Sequence, residues 1–319
     1  MTAELLDMHL LAYLSLREAL GFQMQAEKIL LPEFVAYVHA QQDPYPLRAQ
    51  HAFEWACQTS VHRGPSGAAR RLSIARGFLR YLQAVVPATE VPAPGLLPTP
   101  RRPHPFLFTP TQIVALLEGA RTSRPQSSLR PHTLSSILGL LASTGLRVGE
   151  VLRLQVDHVH LDRDPPHLHI LETKFRKSRI VPLHPSTAER LRHYQAQRVR
   201  WHYDGLSEAF FVSERGHPLQ QRALHDWFAR LCQRVVIVPP PGGRAPCLTS
   251  FRHTFAVTRM QHWYQQGQDV QALLPHLSVY LGHVHPQESY WYLTAVPELL
   301  GAAAHRFEAY AHAEGARHV

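Results

Sequence analysis

Three things are scarce in this chain of 319 residues, and each scarcity narrows what it can be. Cysteine occurs only at Cys57, Cys232 and Cys247, too far apart for metal-type spacing and too few for a disulfide framework. Reduced thiols in a cytosol are therefore expected. Long apolar runs are missing: none approaches the roughly 18 residues that span a bilayer. The N-terminus also lacks a basic segment followed by an apolar stretch. Together these absences predict a soluble, cytoplasmic protein without a membrane partner. Acidic side chains are outnumbered, 24 against 33 basic ones, for a formal charge of +9 and a pI near 9.8. Lysine stands only at Lys28, Lys174 and Lys177, so arginine carries nearly all of that charge. A basic surplus of this kind predicts a polyanionic partner, held through phosphate neutralisation and counterion release.

What is present divides the chain in two, as its length allows. Up to about Val86 apolar residues recur at helical spacing, as in Leu5, Leu6, Met8, Leu10, Leu11 and Leu14, and again in Leu72, Phe78, Leu79, Leu82 and Val85. This predicts an all-α helical bundle over residues 1–86. Seven prolines between Pro87 and Pro105 predict an extended, semi-rigid linker over 87–107. A second domain over 108–319 then opens on a helix with Thr109 as cap, Pro110 at its first position and Gln112 closing a capping box. An apolar helical pattern runs from Thr133 to Leu146, and short β-like stretches such as 167–171 and 178–183 follow. Further helices are expected over about 186–201, 219–236, 250–266, 270–281 and 297–311. The fold class is mainly α, with one small antiparallel β-sheet in the second domain.

Five motifs in that domain carry chemistry. In Thr144-Gly-Leu-Arg-Val-Gly-Glu150, Gly145 permits a tight turn at a helix end, from which Arg147 emerges toward a site. Arginine there suits bidentate contact with phosphate. Its bland alternative is a capping arginine paired with Glu150, and Glu150 can also act by orienting it. Ser250-Phe-Arg-His-Thr-Phe-Ala256 opens a helix whose positive end favours an anion near Arg252 and His253. Lys174 lies in a basic hairpin tip with Arg176, Lys177 and Arg179, neighbours that lower a lysine's pKa toward proton donation. Gly282 can end a helix and present His283 to a cleft. Last comes Ser-Tyr-Trp-Tyr-Leu-Thr, in which Tyr290 and Tyr292 are rival nucleophiles.

In this order the motifs resemble those of the tyrosine recombinases of the phage-integrase class. The resemblance covers roughly Phe108 to Leu300 by motif, and the helical bundle by architecture alone. It implies that Arg147, Lys174, Arg252, His283 and Tyr292 are catalytic, with Tyr292 selected because it stands nine residues after His283. It implies a site-specific recombinase or integrase that cuts and rejoins double-stranded DNA through a 3′-phosphotyrosyl bond, with no cofactor and no metal. It further implies an N-terminal DNA clamp of the core-binding type, a DNA breaking-rejoining catalytic domain, and homo- or hetero-tetramers on DNA. The chain departs from the family at Thr249, which stands where histidine is usual, three residues before Arg252. Thr249 stays in the catalytic set with a reduced contact, since a threonine hydroxyl donates a hydrogen bond to phosphate but is no base near neutral pH. Reliance on His253 is one consequence, and a catalytically weak DNA-binding accessory factor is the alternative function.

Arginine also marks candidate DNA contacts. Between Trp55 and Val86 stand Arg63, Arg70, Arg71, Arg76 and Arg80 with no Asp or Glu, and Arg76 and Arg80 share a helix face. Arg101 and Arg102 in the linker, and Arg176, Lys177 and Arg179 at the hairpin tip, join them. Three His-x-His pairs, His158/His160, His167/His169 and His283/His285, read as surface or partly buried histidines, since no cysteine or carboxylate completes a ligand set; a metal-binding DNA protein is a third reading that rests on these pairs alone, because a strand points both rings of such a pair to one face.

Overall fold

A computed structural model describes residues 2–42, 44–58, 60–98, 104–124, 128–171, 178–201, 203, 205, 207–283, 285, 287–295 and 301, without the side chains of 60–66, 287, 294 and 295. The chain divides into two compact units, Met1–Arg102 and Pro103–Val319. No described helix is long and apolar enough to cross a membrane.

The first unit is a bundle of α1 (Ala3–Ala19), α2 (Glu27–His39), α3 (Ala49–Gln58) and α4 (Ser60–Val85). Leu6, Leu10 and Tyr13 of α1 pack with Leu31, Phe34 and Val38 of α2, Trp55 of α3, and Leu72, Phe78, Leu79 and Leu82 of α4. The helical spacing of these side chains is what closes the core.

Two arginines expected on a DNA-facing surface of this bundle make contacts within their own unit. Arg71 is 5% exposed, with its guanidinium 3.9 Å above the Trp55 ring and Nη1 donating to Glu33 at 3.0 Å. Its stem and charge are spent on packing. Arg76 donates to the carbonyls of Pro92 and Ala93 at 2.9 and 3.0 Å, and so ties the start of the proline-rich stretch to α4. Val91 and Leu97 also pack on the bundle core, so residues 91–97 lie against the first unit. Arg70 and Arg80 are exposed. Arg101, Arg102 and the side chain of Arg63 lie outside the described residues.

The second unit begins with α5 (Pro110–Arg121), whose start carries the expected capping box: Gln112 N–H donates to Thr109 and Thr109 N–H to Gln112. Then come α6 (Arg130–Thr144), the short α7 (Val148–Leu152), one 3₁₀ turn (Val156–His158), and a sheet of β1 (Val159–His160), β2 (His167–Ile170) and β3 (Arg179–Pro182). The sheet is antiparallel in the order β1-β2-β3, and Leu168 and Ile170 turn one face of β2 into the core. Helices α8 (Pro185–Arg200), α9 (Gln221–Val235), α10 (Leu248–Gln265), α11 (Val270–Leu281) and α12 (Gln287–Ala295) complete it. The helix expected over 297–311 lies outside the described residues, apart from residue 301.

The core of this unit centres on α6, whose Leu134, Ile137, Leu138, Leu140 and Leu141 are buried among aromatics such as Phe108, Phe210, Phe211 and Phe251. A smaller apolar cluster joins Ala256, Val257 and Met260 of α10, Leu274, Leu277 and Leu281 of α11, and Tyr292 of α12. These two clusters hold α6, α10, α11 and α12 so that their ends meet.

Candidate active site

Two glycines set the meeting point. Gly145 ends α6 in the left-handed region with φ +62°, and a Cβ there would lie 2.6 Å from the Phe255 ring. Gly282 ends α11 at φ +69°, where a Cβ would lie 2.7 Å from the Arg179 guanidinium. Any side chain at either place would meet both a conformational penalty and a clash. Each glycine turns the chain abruptly, so Arg147 and His283 leave their helix ends at once.

The carbonyls at the end of α11 are the negative pole of that helix, and three arginines gather on them. Arg252 donates to Leu281 O at 2.8 Å and to Gly145 O at 3.0 Å. Arg147 donates to Gly282 O at 2.9 Å, and Arg179 through Nε to Tyr280 O at 2.7 Å. Glu150, with a side chain 1% exposed, is the shared counter-charge: it accepts from Arg147 Nη1 at 3.1 Å and from Arg179 Nη1 and Nη2 at 3.1 and 2.9 Å. Burial works against ionisation of Glu150, but the bonds and charge of Arg179, followed by those of Arg147, hold its carboxyl below the usual range.

Arg252 is 5% exposed, and among the described residues no carboxylate pairs with it. Burial and the neighbouring Arg147 push its guanidinium down to about 10, with Tyr292 and Glu150 acting the other way. It stays a cation at neutral pH, short of negative charge. A bound anion such as a phosphodiester would answer that charge.

His283 is held by Nδ1 against Ser289 Oγ at 2.6 Å, and Ser289 also accepts from Ser278 at 2.7 Å. The Glu288 carboxylate reaches toward both Arg147 and His283, at 3.9 and 4.0 Å. Tyr292 is 2% exposed, and its hydroxyl lies 3.0 Å from Nδ1 of His253 on α10. Tyr290 is 46% exposed, which separates it from that contact.

The structure thus brings together Arg147, Glu150, Arg252, His253, His283 and Tyr292. Thr249 is exposed in the first turn of α10. Lys174, Arg176 and Lys177 lie outside the described residues. Arg179 is a correction: expected at a DNA-facing tip, its guanidinium is instead turned inward onto Glu150 and Tyr280, with only 12% of the side chain exposed. Sequence reasoning also missed Glu288 and Ser289. Glu288 stands four residues before Tyr292, so helical spacing was the available signal.

This fold is shared with solved recombinases. The XerH site-specific recombinase in a post-cleavage complex with palindromic difH superposes with TM-score 0.63 at 16% identity, over 88% of this chain and 78% of that one. The Tn1549 transposon integrase with transposon right-end DNA gives 0.62 at 16% identity, over 95% and 99%. In sequence, the profile of the phage integrase family matches residues 107–296. The integrase/recombinase y4rB of Sinorhizobium fredii is 38% identical over 304 residues, 93% of this chain and 95% of that one. Tyrosine recombinase XerD of Lacticaseibacillus casei is 28% identical over 241 residues, 73% and 76% of the two chains. The chain belongs to the phage integrase family. It is a tyrosine recombinase, a DNA strand transferase of site-specific recombination.

Proposed function

We propose that Tyr292 is the nucleophile and that His253 takes its proton, a role that Thr249 is chemically unable to fill. The observation that carries this reading is the 3.0 Å separation of the Tyr292 hydroxyl and His253 Nδ1, within range for direct proton transfer. The tyrosine oxygen attacks the scissile phosphorus, the bond to the 5′-oxygen breaks, and Lys174 protonates that oxygen as it leaves. Arg147, Arg252 and His283 stabilise charge on the nonbridging oxygens. A 3′-phosphotyrosyl bond results and keeps the phosphodiester's energy, so attack by a second DNA hydroxyl reverses the step. Glu150 holds Arg147 in place, and Glu288 swings aside as the phosphate enters between Arg147 and His283.

The partner in this reading is double-stranded DNA. Exposed Arg70 and Arg80 of the bundle carry backbone contacts, joined by Arg63, Arg101, Arg102, Arg176 and Lys177. Each active site cuts one strand, and exchange between two duplexes involves four strands, so four protomers assemble on DNA.

Covalent capture tests the assignment. Wild type, Tyr292→Phe, Tyr290→Phe, His253→Ala and the double variant His253→Ala/Thr249→His are incubated with labelled DNA from the region flanking the gene, denatured and resolved. The adduct is expected in wild type and Tyr290→Phe, and absent from Tyr292→Phe. His253→Ala should slow its formation by about 10²- to 10⁴-fold, the usual worth of a positioned base. The double variant should regain part of that loss. Wild-type rates in His253→Ala would remove the base assignment while leaving the nucleophile standing.

A further inference from the structure

Of the three His-x-His pairs visible in the sequence, the fold keeps one, His167/His169, and adds to it a single member of another, His160. His158 sits in the 3₁₀ turn, where its Nδ1 accepts from Gln155 N–H at 3.3 Å. His283 belongs to the active site. The sheet register sets His160 of β1 opposite His167 of β2, and strand alternation puts His169 on the same face as His167. The opposite face of β2, Leu168 and Ile170, is buried in the core, so these three partly buried rings share a sheet surface away from it. Their centroids lie 5.0, 4.4 and 5.2 Å apart, and one ring nitrogen from each falls within 4.8 Å of the others.

We infer that His160, His167 and His169 bind one divalent transition ion of the zinc class through three imidazole nitrogens, clasping β1 to β2. Two observations support ligation over simple ring packing. His167 Nδ1 lies 2.9 Å from Pro165 O, and a carbonyl only accepts, so Nδ1 carries the proton and Nε2 keeps its lone pair. A backbone carbonyl fixing the tautomer in this way is the usual support of a metal-bound histidine. His160 Nε2 is buried and, among the described residues, has no hydrogen-bond partner. A buried nitrogen left so is costly unless something occupies its lone pair or takes its proton.

The geometry is close to what an ion needs. Bonds of about 2.0–2.1 Å in a tetrahedral site put ligand nitrogens about 3.3 Å apart. Side-chain rotations of partly exposed rings cover the remaining distance. An all-imidazole set suits Zn²⁺, Ni²⁺ or Cu²⁺ over Mg²⁺ or Ca²⁺, which prefer oxygen. Three protein ligands leave a further position for water or an anion. The clasp holds together the ends of the 161–166 connection and steadies β2, the strand that precedes Lys174 in the sequence.

Equilibrium dialysis of the full chain against Zn²⁺, with metal counted by mass spectrometry, tests the inference without reference to catalysis. Because the chain has 23 histidines, the comparison is with variants. Wild type and His276→Ala are expected to hold one zinc more than His160→Gln or His169→Gln, with the site's affinity weakened by about tenfold or more in the latter two. Zinc should also raise the Tm of wild type and not of those two variants. A measurement that needs no variant follows modification by diethyl pyrocarbonate, peptide by peptide. Zinc should protect His160, His167 and His169 selectively. Equal zinc uptake by wild type and the glutamine variants, or no protection of these three rings, would overturn the site.

Discussion

Arg71 in the helical bundle and Arg252 in the catalytic unit are each 5% exposed, yet the two burials mean different things. Arg71 lies over Trp55 and is paired with Glu33, so its charge is answered within its own unit. Arg252 is held by the carbonyls of Gly145 and Leu281, with Arg147 close by. Carbonyl dipoles orient a guanidinium without cancelling its charge. Burial alone does not distinguish the two arginines; what differs is whether a carboxylate of the same unit answers the charge. Arg179 makes the same point from the other side, since it stands beside the site and is answered by Glu150.

Arg252→Ala should break this contrast most forcefully. Removing one stabiliser of developing charge costs about 10²- to 10³-fold in rate. Single-turnover cleavage is expected to fall by that factor, while the salt slope of DNA binding falls by no more than about 1, the loss of one phosphate contact. A rate within threefold of wild type would mean that the phosphate is clamped elsewhere.

Glu150→Gln comes next, and its effect is on stability. It leaves Arg147 and Arg179 without their buried partner, for a loss of about 3–5 kcal/mol in denaturant unfolding at pH 7. The folded carboxyl titrates below its ordinary value. Its contribution is therefore full above the unfolded-state pKa of about 4.3, and is lost as pH falls through the lower folded-state value. The difference between wild type and variant should be constant from neutral pH down to about 5 and shrink below that. A difference that grows on acidification would contradict the ion-pair reading.

The smallest effects separate two bundle arginines. Arg71→Ala should cost about 1–2 kcal/mol, from the cation–π contact and an ion pair discounted for half-exposed Glu33, and leave the salt slope of DNA binding unchanged. Arg80→Ala should change stability by no more than about 0.5 kcal/mol, and lower that slope by about 1 if Arg80 meets a phosphate. Titration of binding against salt, alongside urea unfolding, reads both. The same slope change in both variants would erase the distinction.

Much of the site was legible because its signals are local. Gly145 and Gly282 are needed where helices end in the left-handed region, and the residues just beyond them, Arg147 and His283, are presented by the chain's own turn. The capping box at Thr109 and Gln112 is equally local. Tyr292 could be chosen over Tyr290 only through a family spacing, and its burial beside His253 supplies the physical difference. Other features were not legible because they depend on partners far along the chain. Arg179 meets Glu150 across 29 residues and Arg71 meets Glu33 across 38, so neither charge could be seen as answered. The histidine cluster was hidden for a similar reason: adjacent pairs are visible in a sequence, whereas strand register is not.

By itself the sequence determined the helical bundle, the helix ends that present Arg147 and His283, the basic character and the family. These follow from periodicity, from the backbone freedom of glycine and from charge, which are properties of short segments. Only the tertiary structure decided which arginines keep an unanswered charge, that His253 stands against Tyr292, and that three histidines from two strands share one face. Those outcomes are set by which distant groups packing brings within about 3–5 Å, the range over which hydrogen bonds and charge pairs act.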